Sequence, residues 1–358
     1  MKSVVLSFLL LSVPISLGLK YLVGAPSVWI FTAAVIAVAV LAEWIRRATE
    51  QLAERVGPAI GGLLTVSFGS IAELVLALFV LASGETAVVQ AQITGSIIGT
   101  SLFGLGVAIV IGGATRERQS FNPKRAGLLS TLLVLVVIAM MLPAVFNYTG
   151  QIASHGRELR VTDEELSLSV SAVLLLLYVA NLIYTLVTHR DVFSAETSLG
   201  KAHWSLLRSL AVIIAATVAI AFEAELVSGS LSETAAKLQL SPLFLGVIVL
   251  GLVGTIADLF AAAWFAHKDK MGLVLNICVG SAIQVALVVA PLLVIISWFM
   301  GHPLSLVFSN PLYLFAIAGT ALIVNAIARD GETTWFEGLL LLGVYVLFGL
   351  SFFFTGPA

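Results

Sequence analysis

"FGSIAELVLALFV" (Phe68–Val80) and "VGTIADLFAAAWF" (Val253–Phe265) are two versions of one phrase. Each carries a Gly followed by a hydroxyl residue, then a single acid, Glu73 or Asp258, inside an otherwise apolar run. The two acids are 185 residues apart, and a second pair of motifs keeps that offset: Gly95-Ser96 stands 26 residues after Gly69, and Gly280-Ser281 stands 26 residues after Gly254. Two separate motifs at one offset identify an internal repeat.

The rest of the chain fixes the solvent around those acids. Of 358 residues, 59% are apolar and 11% charged, and the mean hydropathy is +1.09. A water-soluble domain carries roughly 25% charged residues, so the composition predicts an all-α polytopic membrane protein. Breaks at charges, Pro or Gly leave eleven apolar runs: 4–23, 27–45, 56–82, 87–112, 126–147, 168–188, 205–228, 242–266, 272–299, 305–327 and 335–355. About 20 residues cross a ~30 Å hydrocarbon core as a helix. Barrel strands alternate over about ten residues, and these runs do not. The first run follows Lys2 but has no small-x-small cleavage site after it, so it reads as a retained span and not a leader.

Of the 18 Lys and Arg residues, all but Lys20, Arg157, Arg160 and Lys237 fall in segments on the N-terminal side of the membrane. That bias places the N-terminus in the cytoplasm and the C-terminus outside. The repeat offset maps the second to sixth spans onto the seventh to eleventh, with the first left over. Five is odd, so the halves cross the membrane in opposite senses. The expected organisation is a first transmembrane helix (1–26), a five-helix repeat (27–188), a cytoplasmic linker (189–204) and a second five-helix repeat (205–358). Inverted repeats of this kind build secondary transporters whose substrate site lies near the midplane at the repeat interface.

An ionised carboxylate at the bilayer centre costs at least ~2.5 kcal/mol on insertion scales, so it faces a water-filled cavity, a cation or a proton. No basic residue lies inside the predicted spans near Glu73 or Asp258, so pairing with Lys or Arg is not expected. Oxygen is abundant instead. Ser67, Ser70 and Glu73 share one stretch, Thr255 and Asp258 share a helix face at i, i+3, and Ser96, Thr100, Ser101, Ser281 and Gln284 come from the partner helices. A hard cation such as Ca²⁺ takes several oxygen ligands, with carboxylates supplying charge. Two carboxylates hold either a divalent ion or protons, and that mutual exclusion is the chemistry of an antiporter. Gly61, Gly62, Gly69, Gly251 and Gly254 permit close helix approach or local unwinding. The structural alternatives are packing for the glycines, back-bonding to the helix for the hydroxyls, and a permanently protonated or paired acid.

Other classes fit less well. A net charge of −2 gives no reason to expect a nucleic-acid partner. Cys278 is the only cysteine, so no intrachain disulfide forms. The chain has no G-x-S-x-G or H-E-x-x-H, its five His residues lie in loops or near span ends, and it is read as neither an enzyme nor a cofactor protein. A channel needs a ring of acids, usually from several subunits, whereas one chain supplies an inverted pair here.

Over nearly its whole length the sequence resembles the calcium/proton antiporters, or cation exchangers, of the cation/Ca²⁺ exchanger superfamily. The resemblance rests on "LAEWIRRATEQLAERVGPAIGGLLTVSFGSIAELVLALFVLASGETAVVQAQITGSIIGTSLFGLG" in the first half and "EAELVSGSLSETAAKLQLSPLFLGVIVLGLVGTIADLFAAAWFAHKDKMGLVLNICVGSAIQVALVVAP" in the second. It implies a fold of one helix plus two inverted fives, and export of a cytosolic cation, Ca²⁺ first, against inward protons. It puts the central acids on Glu73 and Asp258 and the second motifs on Gly95-Ser96 and on Gly280-Ser281 with Gln284. The expected cation ligands are Glu73, Asp258, Ser70, Thr255, Ser96, Ser281 and Gln284, with Gly69 and Gly254 beside them; the expected proton relay is Glu73, Asp258, Glu43 and Glu225, the last two at span ends. The sequence departs from the family's G-N-x-x-E, with Ser70 and Thr255 at the Asn positions, Asp258 as second acid, Leu259 where His often follows it and Thr100 where many members have Asn. Hydroxyls thus replace longer amides, which keeps Na⁺ or K⁺ open as the substrate. The expected location is a prokaryotic plasma membrane, with the cation, protons and the lipid bilayer as partners.

Overall fold

The computed structural model describes residues 9–56, 64, 68–154, 160–185, 203–308 and 310–355. Gly61, Gly62, Ser67 and all of the expected linker except residues 203 and 204 lie outside that set. The described chain is helical almost throughout: α1 (Ser12–Val23), α2 (Ser27–Val56), α3 (Ile71–Ala82), α4 (Thr86–Gly113), α5 (Pro123–Ser154), α6 (Arg160–Ile183), α7 (Leu206–Leu238), α8 (Pro242–His267), α9 (Met271–Met300), α10 (Pro311–Asp330) and α11 (Trp335–Phe354). Among the described residues nine of these are long and apolar enough to span a membrane; α1 and α3 are shorter, and α3 is preceded by residues outside the described set. The order and number match the eleven predicted spans.

Helix packing comes in symmetric couples. The first helices of the two repeats, α2 and α7, form the most extensive interface. The α2–α8 contact has its counterpart in α7–α3, α4–α11 in α9–α6, and α5–α9 in α10–α4. Each couple exchanges one half for the other, as a twofold axis in the membrane plane requires. The extra helix α1 docks on the α2–α7 pair, where the Ser16 hydroxyl donates to the fully buried Glu223 at 2.7 Å. The outer faces of α5 and α11 present Leu135, Ile138, Leu142, Leu340 and Leu347 outward, the surface a lipid-facing helix needs.

The even-numbered loops meet on one side, as a chain crossing once per helix demands. Strand β1 (Gln119–Ser120), after α4, pairs antiparallel with β2 (Glu332–Thr333), after α10. Gln119 is buried and donates to Ala266 O (3.3 Å) and Asp269 Oδ1 (3.1 Å) of the α8–α9 turn. Arg116 stands 3.7 Å from Asp269, and Arg118 pairs with Glu332 at 2.8 Å. On the same side the segment entering α7 is tied to α2: the backbone N–H groups of His203 and Trp204 donate to Gln51, Arg55 donates to Trp204 O, and Trp204 stacks on Trp44.

Three boundaries differ from expectation. Helices α2 and α7 each run about ten residues past their apolar stretches, carried by ion pairs at helical spacing: Arg47 with Glu43 (2.7 Å) and Arg46 with Glu50 on α2, and Lys237 with Glu233 (2.6 Å) on α7. Glu43 therefore sits mid-helix and only 8% exposed, not at a span end. The tenth span, expected from 305, begins as a helix only at Pro311, capped by Asn310. The apolar residues Leu304, Leu306 and Phe308 before it are buried as irregular chain. Their backbone polarity is met by side chains: Gln90 donates to Ser305 O and Val307 O, and the N–H groups of Leu304 and Leu306 donate to Ser297 and Ser167.

Candidate cation and proton site

Glu73 lies in the first turn of α3, just past the turn at Ser70. The dipole of a helix start favours negative charge there. Asp258 is placed differently, within the unbroken helix α8, which enters through a π-helical turn at Leu245–Leu250. The unwinding anticipated at Gly251 and Gly254 does not occur, because both are helical. Glu73 is 3% exposed, while Asp258 and Gln284 are partly exposed and Gly69 is exposed. The two acids lie within each other's electrostatic field.

The motif glycines interlock the halves. A Cβ on Gly254 would overlap the Glu73 side chain, and one on Gly69 would stand 3.6 Å from the Gln284 amide oxygen. Gly254 thus makes room for a side chain of the other repeat, while Gly69 leaves Gln284 at ordinary contact distance. Helices α4 and α8 cross at backbone contact: a Cβ on Gly95 would overlap the Val247 carbonyl, and one on Gly251 would fall within 2.6 Å of Gly95 Cα. Only glycine fits such a crossing.

Hydroxyl protons around the acids are largely spent on backbone. Ser96 donates to Gly251 O (3.2 Å), Thr100 to Ser96 O (2.8 Å), and Thr255 to Gly251 O (3.2 Å) and Leu252 O (3.1 Å). A hydroxyl with its proton so committed presents lone pairs to whatever else is near. Ser281 lies near Asp258, within its electrostatic environment. Both carboxylate oxygens of Glu73, the Ser101 hydroxyl and the amide oxygen of Gln92 are buried without a hydrogen-bond partner among the described residues; Ser96, beside Glu73, makes its bond to Gly251 O. Buried acceptors in such numbers call for a proton, a cation or water.

Gln92 was not singled out in the sequence. It is 2% exposed, its amide nitrogen reaches Glu73 O at 3.3 Å, and it stands one helical turn before Ser96. The i, i+4 spacing in an apolar run was the available signal, but Ile277, at the equivalent position of the second half, carries no polar group. The site is also less isolated from basic charge than expected. Because α2 continues to Val56, Arg46 lies within electrostatic reach of Asp258, together with Glu43 and Glu50. Glu43 itself is held by Arg46 and Arg47, and Glu225 is exposed on α7, two residues past the buried Glu223 and so on a different face of the helix.

Helices α4 and α9 each carry a π-helical turn at equivalent positions, Gly99–Gly104 and Val285–Val289, directly after the residues that line the site. Such turns are rare and concentrate at functional sites. Among the described residues no group of three or more His, Cys, Asp or Glu gathers anywhere. The polar groups placed here are two carboxylates and neutral hydroxyl and amide oxygens, which are donors of the kind a hard cation takes.

The chain matches the model of the sodium/calcium exchanger protein family over residues 26–187 and 208–354. It is 39% identical to a Ca(2+)/H(+) antiporter of Aphanothece halophytica, covering 99% of this chain and 97% of that one, and 37% identical to the Ca(2+)/H(+) antiporter ChaA of Bacillus subtilis over 92% and 93%. Its fold superposes on the solved structure of native YfkE with a TM-score of 0.83 at 34% identity, covering 98% of this chain and 99% of that one. The H+/Ca2+ exchanger CAX shares the fold, with a TM-score of 0.74 at 18% identity over 98% and 91%. Two inverted halves that meet at paired acids, matched in sequence and in fold along their length, place the chain in the sodium/calcium exchanger protein family.

Proposed function

We propose that the protein is a Ca²⁺/H⁺ antiporter of the membrane and that Glu73 and Asp258 bind the two substrates in turn. The observation that carries this reading is the buried Glu73 carboxylate, without a hydrogen-bond partner among the described residues and within the electrostatic field of Asp258 from the other repeat. Relatives similar along the whole chain bear the same activity in their names. Ser70, Ser96, Thr255, Ser281, Gln284 and Gln92 complete the ligand set, and Gly69 and Gly254 admit the side chains. Glu43, held by two arginines, and Glu225, exposed on α7, stand outside the ligand set and keep the proton-relay role expected of them.

Coupling follows from charge. Two carboxylates are neutralised equally by one Ca²⁺ or by two protons. Emptied, they would leave two charges in a low-dielectric core, at an effective cost of several kcal/mol per ion. The loaded states can pass through the occluded midplane and the empty one cannot, so neither ion leaks alone. The side with the basic even-numbered loops is cytoplasmic by the positive-inside rule. No nucleophile, base or cofactor is needed for this cycle.

Purified protein in proteoliposomes under an imposed pH gradient tests the reading, with an internal pH dye recording proton movement as Ca²⁺, Na⁺ and K⁺ are offered singly. Proton flux driven by Ca²⁺ is expected. Flux with Na⁺ or K⁺ alone would retain the antiport and reassign the cation, while flux with none would end the proposal. The Gln92 amide has its own expected signature. Gln92→Leu keeps the volume, loses the oxygen, and raises the KM for Ca²⁺ about tenfold, which corresponds to about 1.4 kcal/mol.

A further inference from the structure

Helix α1, which belongs to neither repeat, buries one of its residues, Ser16, and sets it against the fully buried Glu223 of α7. Aligned on their shared Ala-Glu pairs, Ala42-Glu43 and Ala224-Glu225, the repeats have Leu41 in the first half where Glu223 stands in the second. An acid without a counterpart therefore meets the helix without a counterpart. The Ser16 hydroxyl oxygen lies 2.7 Å from Glu223 Oε1 and also 2.7 Å from Val13 O. A hydroxyl has one proton to donate. Beside an ionised Glu223 that proton serves one of the two oxygens and leaves the other at bonding distance with nothing between. A proton on Glu223 Oε1 satisfies both contacts: Glu223 donates to Ser16, the reverse of the direction an ionised acid requires, and Ser16 donates to Val13 O. Glu223 Oε2 is buried without a hydrogen-bond partner among the described residues. As the carbonyl of a neutral acid it forgoes one ordinary bond, whereas as part of a carboxylate it would strand a charge in the core, a far larger cost.

We propose that Glu223 is a second proton-binding site, apart from the exchange centre, and that its proton latches α1 onto the α2–α7 pair. Docked, the acid is sealed and neutral; undocked, it ionises as an exposed carboxylate does. Docking and proton binding are then one equilibrium. Each unit of pH above the ordinary glutamate value of about 4.3 disfavours the docked form by about a factor of ten, for as long as that form keeps its proton. The latch holds in acid and loosens as the pH rises. Charged groups on the helices packed against α7 are engaged elsewhere. Lys20 of α1 lies in the field of Glu233, towards the far end of α7. On α2, Glu43, Arg46, Arg47 and Glu50 pair among themselves, while Glu54 accepts from Gln51 and Arg55 donates to Trp204 O. Glu73 of α3 lies in the field of Asp258, and the Pro242–Phe244 turn of α8 that touches α7 carries no charge. The surroundings of Glu223 are Ser16 and apolar packing, so the latch answers to pH and not to the transported cation.

Infrared difference spectra of the purified protein at neutral pH, without Ca²⁺, test for the proton itself. Wild type minus Glu223→Gln is expected to show the carbonyl band of a carboxylic acid; Glu73 and Asp258 are common to both proteins and cancel. Ser16→Ala, which deletes the acceptor of the acid's hydrogen bond, is expected to shift that band. A carboxylate band in its place overturns the proposal. Amide hydrogen exchange along α1, corrected for its intrinsic rise with pH, tests the latch. In the wild type it is expected to grow by up to about tenfold per pH unit. In Glu223→Gln, whose amide donates to Ser16 and cannot ionise, it should stay flat, with Ca²⁺-driven flux at neutral pH close to that of the wild type. A flat wild-type profile, or a variant profile as steep as the wild type's, overturns the latch. If Glu223→Gln does not fold, the effect of Ser16→Ala on the acid band decides the matter, and a band that does not move overturns the assignment. None of these readouts uses the exchange centre, so the exchange reading stands or falls on its own test.

Discussion

Glu73→Gln abolishes Ca²⁺-driven proton flux and leaves a folded protein. The amide matches the carboxylate in volume and removes a buried charge that has no hydrogen-bond partner among the described residues, so the Tm in detergent is expected to hold or rise. What disappears is the response to substrate. Ca²⁺ should no longer raise the Tm, because a ligand stabilises only the state it binds. Removing one partner from a buried charge pair costs roughly 3–5 kcal/mol, or at least about a hundredfold in affinity. Asp258→Asn is expected to act in the same direction. Asp258→Glu provides the counter-test: it restores the carboxylate one methylene further out and is expected to retain exchange with altered KM. Full flux in Glu73→Gln would remove this residue from the site.

Gly95→Ala is expected to be the most disruptive single methyl in the protein. The added Cβ would overlap the Val247 carbonyl, and backbone cannot rotate away as a side chain can. Helices α4 and α8 would have to separate, at an overpacking cost of typically 1–3 kcal/mol. The same shift would draw Ser96 off Gly251 O and move Gly254 relative to Glu73. Both a lowered Tm and a lost flux are therefore expected. Gly229→Ala is the control: it lies on the exposed face of α7 with nothing within 4 Å of the new methyl, and in a helix it is expected to be neutral or slightly stabilising. Equal tolerance of the two would show that the α4–α8 crossing is looser than its geometry.

Hydropathy and the repeated acids made the eleven helices, their inversion and the central pair legible, because lipid solvent punishes every departure from those patterns. The same signal failed where water begins. It marks where lipid ends, not where helix ends, so α2 and α7 were cut short although ion pairs carry them on, and Arg46 was left out of range of Asp258. The apolar chain at 304–308 resembled a span start because Gln90, distant in sequence, supplies the hydrogen bonds that make an irregular path there tolerable. Gln92 was missed for the opposite reason. A reading built on repetition finds what both halves share, and this amide has no counterpart in the second half.

The widened turns of α4 and α9 speak to descent. A π turn holds one residue more than the α-helical turn it replaces, and both halves carry it after the same small-residue motif, starting within one residue of the same offset and ending nine residues past the motif's Gly. One insertion copied by gene duplication accounts for both more simply than two independent events. The bulge then predates the fusion, in a half-length ancestor of five helices. Such an ancestor would have had to enter the membrane in either direction and pair with its own upside-down copy.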